Sequence, residues 1–308
     1  MENVATRLGI VTTPAEVGFG TASVRCPAAA VSAALAGTCT AYGQGGSRVT
    51  DPNGIGKSTG ALTVPMRKQI ANHLQRFTSF RASDLILVWG GNNDAFIQFG
   101  AFSAAATRIQ IDAAAGRITA DQANLALFQA QTAAQNEMKK AALELTGYVR
   151  TEILAKGGRF VAVFNLPDST LTPFGSTLPA TAKPVLSALV DTFNLWLREG
   201  LSDVAVKIID QNTPGKDVYA NPARYGIVNN TAPTCDAALI SAITRGVVTD
   251  GSSLFCNSTV GAPYYGLRAG ANVDTWQFAD DVHPTPGGHR IISDYVLAQL
   301  RSFGWTTN

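Results

Sequence analysis

Three short apolar runs alternate with long stretches of helical periodicity, and that alternation restricts the chain more than any other feature it has. The runs are Asp84-Leu85-Ile86-Leu87-Val88-Trp89, Phe160-Val161-Ala162-Val163-Phe164 and Val206-Lys207-Ile208-Ile209-Asp210. The first two are continuously apolar between polar ends, as expected of strands covered on both faces. Between them lie helical patterns. Pro65 opens one that carries Ile70, Leu74 and Phe77 on one face. A second runs from 95 to 156, broken near Gly116, and its later part repeats Ala123, Leu127, Ala130, Ala134, Ala141, Leu145, Val149 and Ile153 at three-to-four spacing. A third covers 180–200. The closing helix, 287–303, is expected to turn Ile291, Ile292, Tyr295, Val296 and Leu300 inward. Strands separated by helices connect through right-handed crossovers, which gives a mostly parallel sheet between two helical layers, an α/β/α fold.

The stretch 95–156 is longer than a crossover needs, so it reads as a crossover helix plus a helical excursion that walls the site or covers it as a lid. Residues 2–8 resemble the end of a helix stopped at Gly9, residues 10–40 read as loop, and 212–278 as an irregular region. No linker, internal repeat or transmembrane span is evident, so residues 1–308 are read as a single domain.

Charge and cysteine usage narrow the setting. The 24 basic and 22 acidic side chains are spread without runs, so the basic footprint of a nucleic-acid or anionic-membrane binder is lacking, and the expected partner is a neutral small molecule. Charged residues make up 15% of the chain, below the roughly 25% of an average soluble protein, a leanness compatible with secretion. Four cysteines fall in two close pairs, Cys26 with Cys39 and Cys235 with Cys256, each bracketing a flexible stretch. They read as two disulfides. Zinc is the alternative, but neither pair has the ligand spacing of a structural zinc site, and no histidine is close to either. Disulfides imply an oxidising compartment, secreted or periplasmic. The first residues, Met1-Glu2-Asn3-Val4-Ala5-Thr6-Arg7-Leu8, form no signal peptide, so the front of the protein is expected to be missing.

Three motifs carry chemistry. In Asp280-Asp281-Val282-His283-Pro284-Thr285 a carboxylate three residues before an imidazole can hold its second ring nitrogen, as a base working near neutral pH requires, and Pro284 stiffens the turn. The same spacing also serves as an ordinary helix-capping turn. In Ala41-Tyr42-Gly43-Gln44-Gly45-Gly46-Ser47-Arg48 the glycines let a backbone N–H face a ligand, or simply make a turn. After the first strand, Gly90-Gly91-Asn92-Asn93-Asp94 places an amide where parallel sheets bind ligands, though asparagine after glycine is also plain turn chemistry. Of the remaining histidines, His73 reads as a boundary residue and His289 as a packing or capping one.

In this order the motifs resemble the SGNH, or GDSL, hydrolases, and among them the secreted bacterial esterase, lipase and phospholipase branch. Asn165-Leu166-Pro167-Asp168 and Asn221-Pro222-Ala223-Arg224-Tyr225-Gly226 extend the resemblance over nearly the whole chain. It implies a flavodoxin-like three-layer fold and carboxylic ester hydrolysis without metal or cofactor. His283 would be the base and Asp280 the acid that orients it, with the Gly46 N–H and the Asn93 amide as oxyanion donors. Ala41 replaces an asparagine common in the family, which leaves the bracing of the glycine loop open. The family's first block, Gly-Asp-Ser at the end of the first strand, has no match, so no nucleophile is found and the first strand is expected to be absent. That strand lies inside the family's sheet, so its loss should leave a slot flanked by strands. Neither Asp250-Gly251-Ser252-Ser253 nor Asp168-Ser169 has the right setting to replace it. The expectation is an esterase whose present chain is inactive alone; the alternative is a degenerate relative that binds acyl or glycan ligands without turnover.

Overall fold

A computed structural model describes residues 2–306. In chain order the elements are α1 (Glu2–Arg7), β1 (Glu16–Phe19), β2 (Ala22–Arg25), α2 (Pro27–Val31), α3 (Met66–Phe77), β3 (Leu85–Val88), α4 (Asn92–Ala114) and α5 (Ala120–Tyr148). There follow β4 (Phe160–Phe164), α6 (Pro173–Thr177), α7 (Lys183–Leu201), β5 (Lys207–Ile209), α8 (Asn212–Ala220), β6 (Asn229–Pro233), α9 (Ala237–Ile243), β7 (Trp276–Phe278) and α10 (Pro286–Ser302). They fall into two compact units. One comprises Gly9–Leu166 and Pro184–Asp210, the other Met1–Leu8, Pro167–Lys183 and Gln211–Asn308.

The first unit holds the parallel sheet, in the order β3-β4-β5. The central strand β4 buries Val161, Ala162, Val163 and Phe164 completely or nearly so, as a run without polar alternation should. β3 behaves differently. It is an edge strand, with Leu85, Ile86 and Leu87 only half-buried and Val88 buried, so burial on both faces holds for β4 and not for β3. Nor is there a slot flanked by strands: among the described residues the sheet is continuous from β3 to β5, and nothing pairs with the outer side of β3.

Local chemistry explains the helices around this sheet. Pro65, extended at ψ 154°, starts α3, where a missing N–H costs nothing. α4 ends near Gly116, whose φ of +68° leaves the right-handed region, and α5 starts with a reciprocal capping box between Thr119 and Gln122. The two pack on each other. Core burial is confined to the later half of α5, at Ala134, Met138, Ala141, Ala142 and Leu145, and passes through an irregular turn to Val149 and Ile153. Residues 10–40 are more ordered than their composition implies, since β1 and β2 form an antiparallel hairpin. Its side chains are largely exposed, so no apolar alternation marks it.

In the second unit the region 212–278 is not irregular throughout. It contains α8, the parallel pair β6–β7, and α9 capped by Asp236. Residue 229 pairs with 276, and so distant a pairing leaves no local signature. Helix α10 is capped by Thr285, whose Oγ accepts from Gly288 N at 3.1 Å, and it packs on α1 and β7. Its buried face is Ser293, Val296, Leu297 and Leu300; Ile291, Ile292 and Tyr295 flank that face half-buried, so the stripe is rotated from the expected one. Among the described residues no helix is long and apolar enough to cross a membrane.

Candidate active site

Asp280 and His283, the expected acid and base, lie on the turn between β7 and α10. Ala279 N donates to His283 O at 2.7 Å, closing the turn, while Phe174 N of α6 donates to Asp281 O at 2.9 Å. Inside the turn, Asp280 Oδ1 accepts from the amides of Val282 at 3.0 Å and His283 at 2.8 Å, and Oδ2 accepts from the amide of Ser253 at 2.9 Å. Both carboxylate oxygens lie 2.9 Å from His283 Nδ1. The side chain of Asp280 is 8% exposed and that of His283 65%. The carboxylate is therefore sequestered and the imidazole is presented to solvent.

Electrostatics follow from this geometry. Burial pushes the Asp280 carboxyl pKa up, but hydrogen bonds from His283 and Ser253 overcome it and hold the group well below the usual carboxylate range. The hydrogen bond to Asp280 raises the His283 pKa, against the opposing effect of burial. With Nδ1–H donating to the carboxylate, the lone pair is on Nε2, the nitrogen that can accept a proton. Burial and the neighbouring charges of Asp280 and Asp250 raise the Asp281 pKa, so the two adjacent carboxyls differ.

The glycine loop and the strand-terminal asparagine belong to the sheet-bearing unit, where they are locked together. Gly46 has φ +72°, and a Cβ on it would meet Ile55 O at 2.0 Å, so only glycine fits. Ile55 N donates to Gly46 O at 2.9 Å. Past β3 the chain turns through Gly91, at φ +110° against the ring of Phe193, directly into α4. Asn93 is therefore in the first turn of that helix, and its Nδ2 donates to Ser47 O at 2.8 Å. Its neighbour Asp94 is buried and receives Arg48 Nε at 2.9 Å and Val49 N at 3.0 Å. Sequence reading singled out Asn93 and passed over Asp94, although Arg48 in the glycine loop was a possible signal for it. These contacts brace the glycine loop where Ala41 offers no side-chain hydrogen bond.

The remaining residues have structural surroundings. His73 stacks on Phe80 with centroids 4.2 Å apart and meets Tyr42 edge-on, and burial lowers its pKa. Asn194 clamps the end of β4 by hydrogen bonds to both Leu166 N and O. Asp168 caps the short turn that follows by accepting from Thr170 N, and Ser169 in that turn is buried. Disulfides join Cys26 to Cys39 and Cys235 to Cys256, one in each unit, and such bonds belong to oxidising compartments.

Comparison with known proteins decides the family. The model of the GDSL-like lipase/acylhydrolase family matches residues 18–296. The chain belongs to the GDSL-like lipase/acylhydrolase family. Among curated proteins it is similar to esterase EstA of Pseudomonas aeruginosa and to esterase EstA of Pseudomonas putida, each 34% identical over 146 residues. An uncharacterized protein from the trpE-trpG intergenic region of Pseudomonas putida is 29% identical over 150 residues. Each EstA match takes in 46% of this chain and 20% of the esterase's own length, so the matched part spans about a fifth of these relatives. The family match reaches into both compact units and includes the parallel sheet and the turn that holds Asp280 and His283.

Proposed function

We propose that this GDSL-like hydrolase contributes to a carboxylic ester hydrolase, with acyl transfer to serine as the reaction, and that Asp280, His283, Gly46 and Asn93 are its acid, base and two oxyanion donors. The observation that carries this reading is His283 Nδ1 held 2.9 Å from both oxygens of a buried carboxylate, with the rest of the ring exposed. A serine hydroxyl attacks the ester carbonyl and gives its proton to His283 Nε2; the same proton then passes to the leaving alcohol. Water repeats the sequence on the acyl-enzyme. Asp280 keeps the lone pair on Nε2 and stabilises the imidazolium that forms. The Gly46 N–H and one Asn93 N–H stabilise the oxyanion; Asn93 Nδ2 has two N–H groups, and its bond to Ser47 O uses one.

Residues 1–308 are read as one catalytic domain, because the family match runs across both compact units. The substrate is a small-molecule or lipid ester, and the two disulfides support a secreted or periplasmic site of action. The nucleophile belongs to the Gly-Asp-Ser block, which these 308 residues lack. Ser253 is a poor substitute, because its amide is bound at the acid end of the dyad while a nucleophile must meet Nε2. The chain by itself is therefore expected to give no stoichiometric fluorophosphonate labelling and no p-nitrophenyl butyrate hydrolysis above background. The same chain carrying a Gly-Asp-Ser segment ahead of residue 1 should do both. Stoichiometric labelling of any serine in the 308 residues would reject the missing-nucleophile reading, and an extended chain whose turnover ignores His283→Ala would reject the dyad.

A further inference from the structure

Sequence reading treated the loop bracketed by Cys235 and Cys256 as a staple and set aside its Asp250-Gly251-Ser252-Ser253 segment. The structure gives that loop a definite position. Ser253 N donates to Asp280 Oδ2 at 2.9 Å, whereas the backbone amides of the acid's own turn, Val282 and His283, both donate to Oδ1. Ser253 thus supplies from a distant loop the backbone donor that the turn does not supply to Oδ2. The loop is registered to the acid at its other end as well, since Cys235 N donates to Ala279 O at 2.9 Å, one residue before Asp280. Cys256 follows Ser253 by three residues, Cys256 N donates to Ser253 O at 3.3 Å, and the disulfide ties Cys256 back to Cys235. The route from the donor through the disulfide to the residue before the acid is covalent except for one hydrogen bond.

We propose that Ser253 is a positioning residue for Asp280, acting through its backbone N–H, and that the Cys235–Cys256 disulfide holds that donor in place, so that the acid–base pair is completed only in the oxidised protein. The catalytic meaning of this device rests on the proposed roles of Asp280 and His283; the device itself rests on the hydrogen bonds alone. A carboxylate with a donor on each oxygen cannot rotate away from the imidazole, and its charged form is favoured over the protonated one. The charged groups near it are His283 and Asp281, with Asp250 acting on Asp281 and His283 acting in turn on His289.

The backbone allows a clean test. Ser253 is the first residue of a short 3-10 turn, Ser253–Phe255, and Ser252 before it has φ −50° and ψ 128°. A proline is tolerated at the first position of such a turn and wants an extended residue before it, so Ser253→Pro deletes the N–H together with the hydroxyl and disturbs the backbone little. Ser253→Ala keeps the N–H and removes the hydroxyl. The Asp280 carboxyl is titrated by carbon-13 NMR in the full 308-residue chain, in both variants, and in Cys235→Ala/Cys256→Ala.

A hydrogen bond to a charged group corresponds to a midpoint shift of about one to two pH units, so Ser253→Pro should raise the Asp280 midpoint by that much. Loss of the disulfide should shift it in the same direction, and Ser253→Ala, which keeps the N–H but loses the hydroxyl's own hydrogen bond to Asp280, should shift it less than Ser253→Pro. In the unsubstituted protein the Ser253 amide proton shift should follow the Asp280 titration, and reduction should abolish that link, which keeps the test decisive even if the proline variant does not fold. An Asp280 midpoint unmoved in folded Ser253→Pro, or a Ser253 amide shift that stays flat while Asp280 protonates, would overturn the proposal. None of these measurements involves ester turnover, so failure here is distinguishable from failure of the esterase reading.

Discussion

Asp280 and His283 are three residues apart in the chain and differ sharply in exposure, and the pH behaviour of both follows from that contrast. A base must be unprotonated to accept a proton, and its hydrogen bond to Asp280 raises the His283 pKa. In a form of the enzyme that carries the nucleophile, kcat/KM should therefore rise with pH along a limb whose midpoint lies above about 6.5, the ordinary histidine value. Asp280→Asn removes the negative charge and should move that limb to lower pH while cutting the rate; an unmoved limb would take Asp280 out of the dyad. Stability is linked to the same groups. The contribution from His283 is present below its unfolded pKa of about 6.5 and is lost as pH rises through the raised folded value, while that from Asp280 is present above about 3.9 and is lost as pH falls through its depressed folded value. The dyad accordingly stabilises most between those limits. Urea midpoints of the wild type minus those of His283→Gln should be largest in that window and shrink on the alkaline side, and a difference that grows with pH would contradict the assignment.

Elements defined by local chemistry were legible in the sequence, and those defined by distant partners were not. β4, the apolar repeat of α5 and α10 with its proline start could all be read from one stretch of chain, as could the turn holding Asp280 and His283. β6 and β7 could not, because each is short and pairs across more than forty residues. The edge position of β3 was hidden for a related reason: an apolar run records how hydrophobic a strand is, not how many neighbours it has. Asp94 is the site residue missed in the same way, since a carboxylate after asparagine looks like turn chemistry until Arg48 and Val49 are found against it. It joins the first turn of α4 to the loop that carries Gly46, and its removal leaves the buried Val49 amide unpaired and Arg48 with Asp51 as its remaining carboxylate partner. Leaving a buried donor without its acceptor costs about 1–3 kcal/mol. Asp94→Ala should lower the urea-unfolding free energy by that amount, and in a nucleophile-bearing form it should also cut turnover by loosening the loop in which Gly46 is the proposed oxyanion donor. A midpoint within error of the wild type would mean that Asn93 and Ile55 hold the loop without it.

At the scale of the molecule, a family match over residues 18–296 meets a chain that divides into two compact units, each closed by its own disulfide. A disulfide stabilises a fold where apolar burial is scarce, and the Cys26–Cys39 pair is placed to do so. It staples a segment whose hairpin and short helix bury little: Phe19, Val24 and Val31 are all exposed. Apolar burial therefore contributes little there, and the segment is fixed instead by the crosslink and by Arg76 of α3, which donates to Cys39 O at 3.0 Å and also to Ala36 O. The bonded cysteines are 13 positions apart. Closing a loop of that length stabilises a folded chain by about 3 kcal/mol in the chain-entropy model. Cys26 has a left-handed φ of 48°, a strain that alanine would share, so Cys26→Ala/Cys39→Ala reports the crosslink rather than the backbone. This variant should unfold in urea with about 3 kcal/mol less stability than the oxidised wild type. Adding dithiothreitol should then lower the variant further, by the share that belongs to Cys235–Cys256. A wild type whose unfolding is indifferent to reductant would show that neither bond contributes to stability, and would remove the main physical argument for placing this hydrolase in an oxidising compartment.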